Sequence, residues 1–483
     1  MNLSMVLRIL GLMLMIFSLS MLPPVAVSFV FADGHHTPFV YAFLIVASLG
    51  LALWLPVRKV RRDLRLRDGF LVVALFWVFL GLAGATPLLI SDVPELSFTD
   101  AVFEAVSGFT TTGATVIVGL DELPKSILYY RQQIQWLGGM GIIVLAVALL
   151  PVLGIGGMSL YKAETPGPVK DEKLTPRIAH TAKALWLVYL TLTVACGVAF
   201  YVAGMNAFDA VGHAFSTLST GGFSPYDASL SHFDNVAIEV VAIVFMMAGG
   251  TSFALHFVMF RQRTAGVYWR DPEFRAYVGT LASLTLVVST YLYLAGSYGS
   301  PLEALRYGSF QVVSLQTSTG FVTADFPSWA GALPPLLMLA TFIGGCAGST
   351  GGGIKVIRWL LVVKQGLVEL RRLVHPSAEI PVKLAAKPVP VRVMNAVAGF
   401  FAIYLLLFGA MMLLLMAAGL DQVSAWSAIA TSINNAGPAL GQVSANFRDV
   451  PDAAKWICAL AMLIGRLELF TLIILFTPDF WRK

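Results

Sequence analysis

The chain has 483 residues, of which 57% are hydrophobic and only 12% charged. That balance excludes an ordinary soluble enzyme or binding domain, where about a quarter of the residues carry charge. The formal charge of +5 is not the footprint of a nucleic-acid partner, because the basic residues fall in short blocks between apolar runs, which is a membrane pattern.

Uncharged apolar runs of about 20 residues recur along the whole length, each long enough to cross a bilayer. Two open the chain, Leu3–Phe31 and Pro38–Val57, joined by Ala32–Thr37. Arg8 before an apolar run suggests a secretory signal, but the run is long, contains Pro23-Pro24 and is followed at once by a second span. The stretch Arg58–Arg67 then carries six basic residues and reads as a cytoplasmic anchor.

From there one pattern is expected four times: long helix, short amphipathic helix, polar glycine turn, long helix. The first copy places its membrane helices at Gly69–Ile90 and Tyr129–Leu153, a pore helix at Ser97–Ser107, and the turn Thr110-Thr111-Thr112-Gly113. In the second, helices at Ala182–Ala203 and Val236–Phe260 flank a pore helix at Phe208–Leu218 and the turn Leu218-Ser219-Thr220-Gly221. The third has a helix at Ala276–Ala295, a pore helix at Pro301–Gln316, the turn Thr317-Ser318-Thr319-Gly320, and a segment from Leu333 to Val363. The fourth has helices at Val393–Ala418 and Ala453–Thr477, a pore helix at Gln422–Ile433, and the altered turn Asn434-Asn435-Ala436-Gly437. The period of about 85–110 residues indicates internal duplication. The expected fold is an all-α polytopic membrane protein: an N-terminal two-helix hairpin with its linker (1–68), then four repeats (69–165, 166–268, 269–380, 381–483) in pseudo-fourfold order around a central ion pore. Ten membrane segments result.

Charge placement orients it. With the N-terminus inside, the cytoplasmic segments (the start, 58–68, 161–183, 261–275, 355–392 and the end) hold 26 of the 32 Lys and Arg, and the opposite side holds 16 of the 27 acids. The positive-inside rule then puts both termini in the cytoplasm and all four turns on the outer side. The three cysteines (Cys196, Cys346, Cys458) lie in different segments and form no disulfide or zinc pattern.

Non-helical backbone at membrane depth is tolerated only when buried in protein or lining a watery cavity. Its free carbonyls can then replace the hydration shell of an ion. Glycine permits the backbone angles this needs, and the negative C-terminal ends of the pore helices favour a cation. Neutral carbonyls without carboxylates suit potassium better than sodium or calcium. The bland alternative, small-residue helix packing, accounts for a single turn but poorly for four in register.

These features resemble the Trk/Ktr/HKT superfamily of cation transporters over the full length, most specifically at Ser107–Val116, Ser216–Tyr226, Ser314–Phe326, Asn434–Gly441, Gly344–Arg358 and Gly465–Phe470. The resemblance implies uptake of K+, with the four turns as the selectivity filter and Gly113 accompanying potassium transport where serine accompanies sodium preference. It also implies a homodimer in the bacterial inner membrane and a cytosolic regulatory ring of TrkA type that binds NAD or ATP. No catalytic cofactor is expected.

Leu333–Val363 is too long for one straight span and is interrupted by Gly344–Gly353, which holds six glycines. Ile354 separates Gly353 from Lys355, so the phosphate-loop spacing is absent. Glycines so dense unwind a helix. The resemblance makes this segment an intramembrane gate beneath the filter, built from Gly345, Gly348, Ser349, Thr350, Gly351, Gly352 and Gly353. Arg466 is the other anomaly, since a mid-bilayer charge costs about 2.5–3.5 kcal/mol and must face protein or water. Glu468, roughly 200° around the helix, cannot be its partner. Arg466 is therefore expected to point into the pore near the gate as an electrostatic barrier. Two other classes are weighed. A membrane-embedded enzyme would need metal or catalytic spacing that the seven histidines lack, His213 and His256 reading as structural. A proton- or sodium-coupled symporter would need titratable groups at midplane, where only Arg466 and Glu468 are available.

Overall fold

The computed structural model describes residues 2–60, 66–139, 178–385 and 387–482. The regular elements among them are helices, apart from a two-rung antiparallel ribbon pairing Lys383–Leu384 with Lys387–Pro388. Six described helices are long and apolar enough to cross a membrane, and two sharply bent pairs bring the number to as many as eight.

In the N-terminal hairpin the first run forms Leu3–Ser18, a 3-10 turn and Leu22–Phe31, with Pro23 and Pro24 admitted in the opening turn. It packs along His36–Trp54. The two helices cross where neither has a side chain: a Cβ on Gly11 would lie 2.6 Å from Gly50 O, and one on Gly50 2.8 Å from Gly11 O. Small residues let helices in lipid approach this closely. Of the basic block that follows, residues 61–65 lie outside the described residues.

Four pore helices follow at Phe98–Phe109, Ala207–Leu218, Pro301–Gln316 and Gln422–Asn434. Each starts at a side-chain cap. Ser97, Asn206 and Ser300 accept from the N–H of an acid three residues on (Asp100, Asp209, Glu303), and Asp421 accepts from Val423 and Ser424. Caps satisfy orphan N–H groups, and an acid in the first turn complements the helix dipole. At 12 to 16 residues these helices reach about 18–24 Å, short of the roughly 30 Å hydrocarbon core. They are too short to cross it.

The membrane helices differ from expectation where they meet the pore helices. Val236–Phe260 is two helices, Val236–Gly249 and Phe253–Gln262, bent by 97°, and Ala453–Thr477 likewise breaks between Arg466 and Phe470, with a 107° bend. Both breaks free carbonyls or place side chains at the candidate site. The third repeat divides as the glycines require, into Leu333–Ile343 and Val356–Val374. The second helix of repeat 1 starts earlier than expected, at Lys125, and runs to Gly139; its expected remainder, 140–153, lies outside the described residues.

Replacing Gly11 or Gly50 with leucine forces the hairpin helices apart, an overpacking cost of about 1–3 kcal/mol. A lower unfolding midpoint of the purified protein in detergent is the expected outcome; an unchanged midpoint for both variants refutes the close crossing.

Candidate functional site

All four pore helices end the same way. The N–H of Thr111, Thr220, Ser318 and Asn435 bonds back three residues, to Gly108, Thr217, Leu315 and Ser432. The next N–H bonds back five: Thr112 to Ser107, Gly221 to Ser216, Thr319 to Ser314, Ala436 to Thr431. This double closure is the Schellman helix stop, whose left-handed position is usually glycine. Here it is Thr111 (φ 55), Thr220 (φ 53), Ser318 (φ 60) and Asn435 (φ 52). A non-glycine residue there costs about 1–2 kcal/mol. Such strain persists only where the surroundings enforce it, and it clusters at functional sites.

Two residues beyond each stop stands a glycine with φ between 78° and 89°: Gly113, Gly222, Gly320 and Gly437. This corrects the expected register of the second turn. Gly221 was aligned with Gly113, but the hydrogen bonds make Gly221 equivalent to Thr112, and Gly222 takes the glycine position.

The glycines close a ring. A Cβ on Gly113 would sit 2.2 Å from Gly221 O; on Gly222, 1.9 Å from Thr319 O; on Gly320, 2.3 Å from Ala436 O; and on Gly437, 2.7 Å from Thr112 O. Each turn therefore wedges its third carbonyl against the glycine of a neighbouring turn, and the order runs through all four repeats back to the first. The turns share one centre, and no side chain longer than hydrogen fits between them.

The glycine-rich loop 344–355 lies directly beneath. Gly352 N donates to Ser318 Oγ (2.5 Å) and Gly353 N to Asn434 O (3.0 Å). Thr350 Oγ1 donates to Leu218 O and Gly249 O, both at 2.9 Å, and Cys346 N to Gly250 O (2.8 Å). The break in the second repeat's helix is thus what exposes Gly249 and Gly250 to the loop. Gly345, Gly348, Ser349 and Gly351 complete the segment; Gly348 O accepts from Phe253 N, and Ser349 Oγ donates to Cys346 O.

Arg466 reaches the same place from the fourth repeat. Its guanidinium donates to Thr350 O (2.9 Å), Thr111 Oγ1 (3.1 Å), Gly138 O (2.5 Å) and Gly139 O (2.7 Å). Charge-assisted bonds of this kind offset the burial of a cation. Glu468 pairs with Arg358 across the break, at 2.5 Å. Sequence reasoning assigned Lys355 and Arg358 to a cytoplasmic segment; both are buried, and Lys355 Nζ donates to Gly351 O. It also overlooked Glu273, which accepts from Ala347 N (2.6 Å) and Ile357 N (3.2 Å) and so clamps both flanks of the loop.

A further layer was missed behind the turns. Glu104, six residues before Thr110, accepts from Val116 N (3.0 Å) and pairs with the buried Arg131 (2.8 Å). His213 holds the matching place in repeat 2, between Asp209 O and Ser224 Oγ, and Gln311 in repeat 3 sets its side-chain amide against the returning chain at Thr323 and Ala324. His256 bonds Tyr268 Oη and Ala248 O. Both histidines are structural, as expected. A polar residue six positions before each of the first three turns, and so roughly one and a half helical turns inside the pore helix, is the signal that would have found this layer.

A family model described as TrkH, cation transport protein, matches residues 35–483. The chain belongs to the TrkH family. It is 56% identical over 483 residues to the Trk system potassium uptake protein TrkH of Halomonas elongata, covering all of both chains. It is 50% identical over 476 residues to the protein of that name from Escherichia coli, covering 99% of each. The crystal structure of the potassium transporter TrkH from Vibrio parahaemolyticus matches with a TM-score of 0.91 at 52% identity, covering 100% of each chain. The fold is that of the family: a multi-pass helical membrane protein with an N-terminal hairpin and four pore-loop repeats.

Arg466→Ala removes four hydrogen bonds that tie loop 344–355 to the turns and helices above it. Ion flux in proteoliposomes is expected to rise severalfold, and Arg466→Lys, which keeps charge but not the planar fork, to fall between the two. Equal flux in all three proteins contradicts a barrier at this position.

Proposed function

We propose that this chain is the ion-conducting subunit of a bacterial potassium-uptake system and that the four turns form its selectivity filter. The single observation carrying this reading is the closed ring in which each turn's glycine abuts the third carbonyl of the next turn. Thr112, Gly221, Thr319 and Ala436 present main-chain oxygens around a common axis, where neutral carbonyls can replace the water of an alkali ion. The pore helices stop beneath it with their partial negative charge directed at it.

Thr110–Gly113, Ser219–Gly222, Thr317–Gly320 and Asn434–Gly437 are the filter; loop 344–353 with Arg466 is the gate. The repeats are the units 69–165, 166–268, 269–380 and 381–483. The termini face the cytoplasm and the turns face outward, in keeping with the basic blocks at one side and the acids at the other. The protein resides in the inner membrane as a homodimer. A cytosolic nucleotide-binding ring of TrkA type controls the gate; the potassium-uptake relatives are named as parts of a Trk system, and the described cytoplasmic segments fold no such domain. A side chain at the wedged position of Gly113 displaces Gly221 O from the ring and is therefore expected to alter selectivity.

Potassium-dependent growth of a bacterial strain lacking its own uptake systems tests the reading. The wild-type chain, expressed with its regulatory partner, is expected to restore growth at low potassium; Gly113→Ser is expected to lose potassium over sodium selectivity by about tenfold, equivalent to roughly 1.4 kcal/mol at the filter. No rescue by the wild type, or an unchanged ratio in the variant, defeats it.

A further inference from the structure

The four returning chains above the ring are not supported alike. In repeats 1, 3 and 4 the partner comes from the same repeat's pore helix: Glu104 Oε2 to Val116 N, Ser314 Oγ to Phe321 O (2.7 Å), and Ser427 Oγ to both Leu440 O and Leu440 N (3.0 Å each). In repeat 2 the pore helix reaches the returning chain through His213, at Ser224 Oγ (3.2 Å), while the main-chain groups of that chain are held from a different repeat. Three residues of helix Lys125–Gly139, the second helix of repeat 1, reach across to it. Arg131 Nη1 donates to Ser224 O (3.2 Å), Gln132 Nε2 to Phe223 O (3.3 Å) and Gln135 Nε2 to Gly221 O (2.6 Å), while Gln135 Oε1 accepts from Phe223 N (2.9 Å).

We infer that Gln135 is a specificity-determining positioning residue, which fixes the Gly221 carbonyl in the ring from outside its own repeat. The inference rests on the filter reading above and deepens it. Gln135 is fully buried, and its amide spans the glycine pair, one end on Gly221 O and the other on Phe223 N. Its orientation is set by those partners: the oxygen faces a donor and the nitrogen an acceptor. Gly221-Gly222 is the most pliable of the four turns, because two adjacent glycines carry no side chain to limit their backbone angles. Thr112 and Thr319, the equivalents of Gly221, instead have hydroxyls bonded within their own turns, to Thr110 (2.7 Å) and Thr317 (2.8 Å). Gly221 has no hydroxyl, so the amide of Gln135 supplies the restraint its turn cannot. The held oxygen is also the one that a Cβ on Gly113 would strike, so Gln135 fixes the atom against which Gly113 is fitted.

Rb+ and Na+ uptake by the full-length protein in proteoliposomes tests this, with Gln135→Met, which keeps length and neutrality and removes both hydrogen bonds. The Rb+/Na+ uptake ratio is expected to fall by about tenfold. A merely structural loss lowers both fluxes together and leaves the ratio alone. Gln135→Asn, one methylene shorter, is measured beside it and is expected to lower the ratio less; it decides the matter if the methionine protein does not assemble. An unchanged ratio in an assembled variant overturns the inference. Failure of the filter reading looks different, since the wild type itself would then not distinguish Rb+ from Na+.

Discussion

A buried peptide group needs a hydrogen-bond partner, and in lipid no water supplies one. The architecture follows from how this chain meets that demand at four helix ends inside the membrane. Each pore helix satisfies carbonyls of its last turn by the Schellman stop, which puts Thr111, Thr220, Ser318 and Asn435 in the left-handed region. The chain then turns outward, and its third carbonyl packs against the neighbouring turn.

Holding four strained residues costs on the order of 4–8 kcal/mol if each carries the usual left-handed penalty. The surroundings supply the restraint in different currencies. Hydroxyls bond within turns 1 and 3, Asn435 Nδ2 donates to Thr112 Oγ1 (3.0 Å) across two turns, and the Glu104–Arg131 pair anchors the first returning chain. A buried ion pair is a poor source of net stability but a firm positional constraint, because removing one partner strands the other. The pseudo-fourfold ring is therefore symmetric in its backbone and asymmetric in what braces it, as expected when duplicated repeats diverge behind a site that must keep its shape.

Much of this was legible in the residues. Small hydroxyls before glycine, four times between apolar runs, announced the turns, and the glycine density of 344–353 announced the broken helix. The second turn was misaligned because Gly221-Gly222 offers two glycines and sequence alone does not say which lies beyond the helix stop. The left-handed threonines were invisible, since propensity speaks against threonine there and only tertiary enforcement puts it in place. The bends after Gly249 and Arg466 were hidden inside runs apolar enough to pass as one span. Lys355 and Glu273 were missed for the opposite reason: charge at a span's end reads as cytoplasmic, whereas burial here is set by the loop folding back over them.

The four turns and loop 344–355 are joined by the same atoms, which limits how either can move alone. Ser318, one of the four strained residues, accepts from Gly352 of the loop; Thr111, another, accepts from Arg466; and Asn434, just before a third, accepts from Gly353. Arg466 in turn holds Thr350, and Thr350 holds the last carbonyl of the second pore helix. Swinging the loop away removes a donor from residues that sit in unfavourable backbone angles partly because those donors are there. The strain that shapes the ring is thus shared with the element beneath it. A displacement large enough to open the pathway also relaxes the ring above, unless each turn's own closures and the braces behind them suffice to hold it. If the proposed filter and gate are right, the bracing layer behind the turns is what lets the loop move without erasing selectivity.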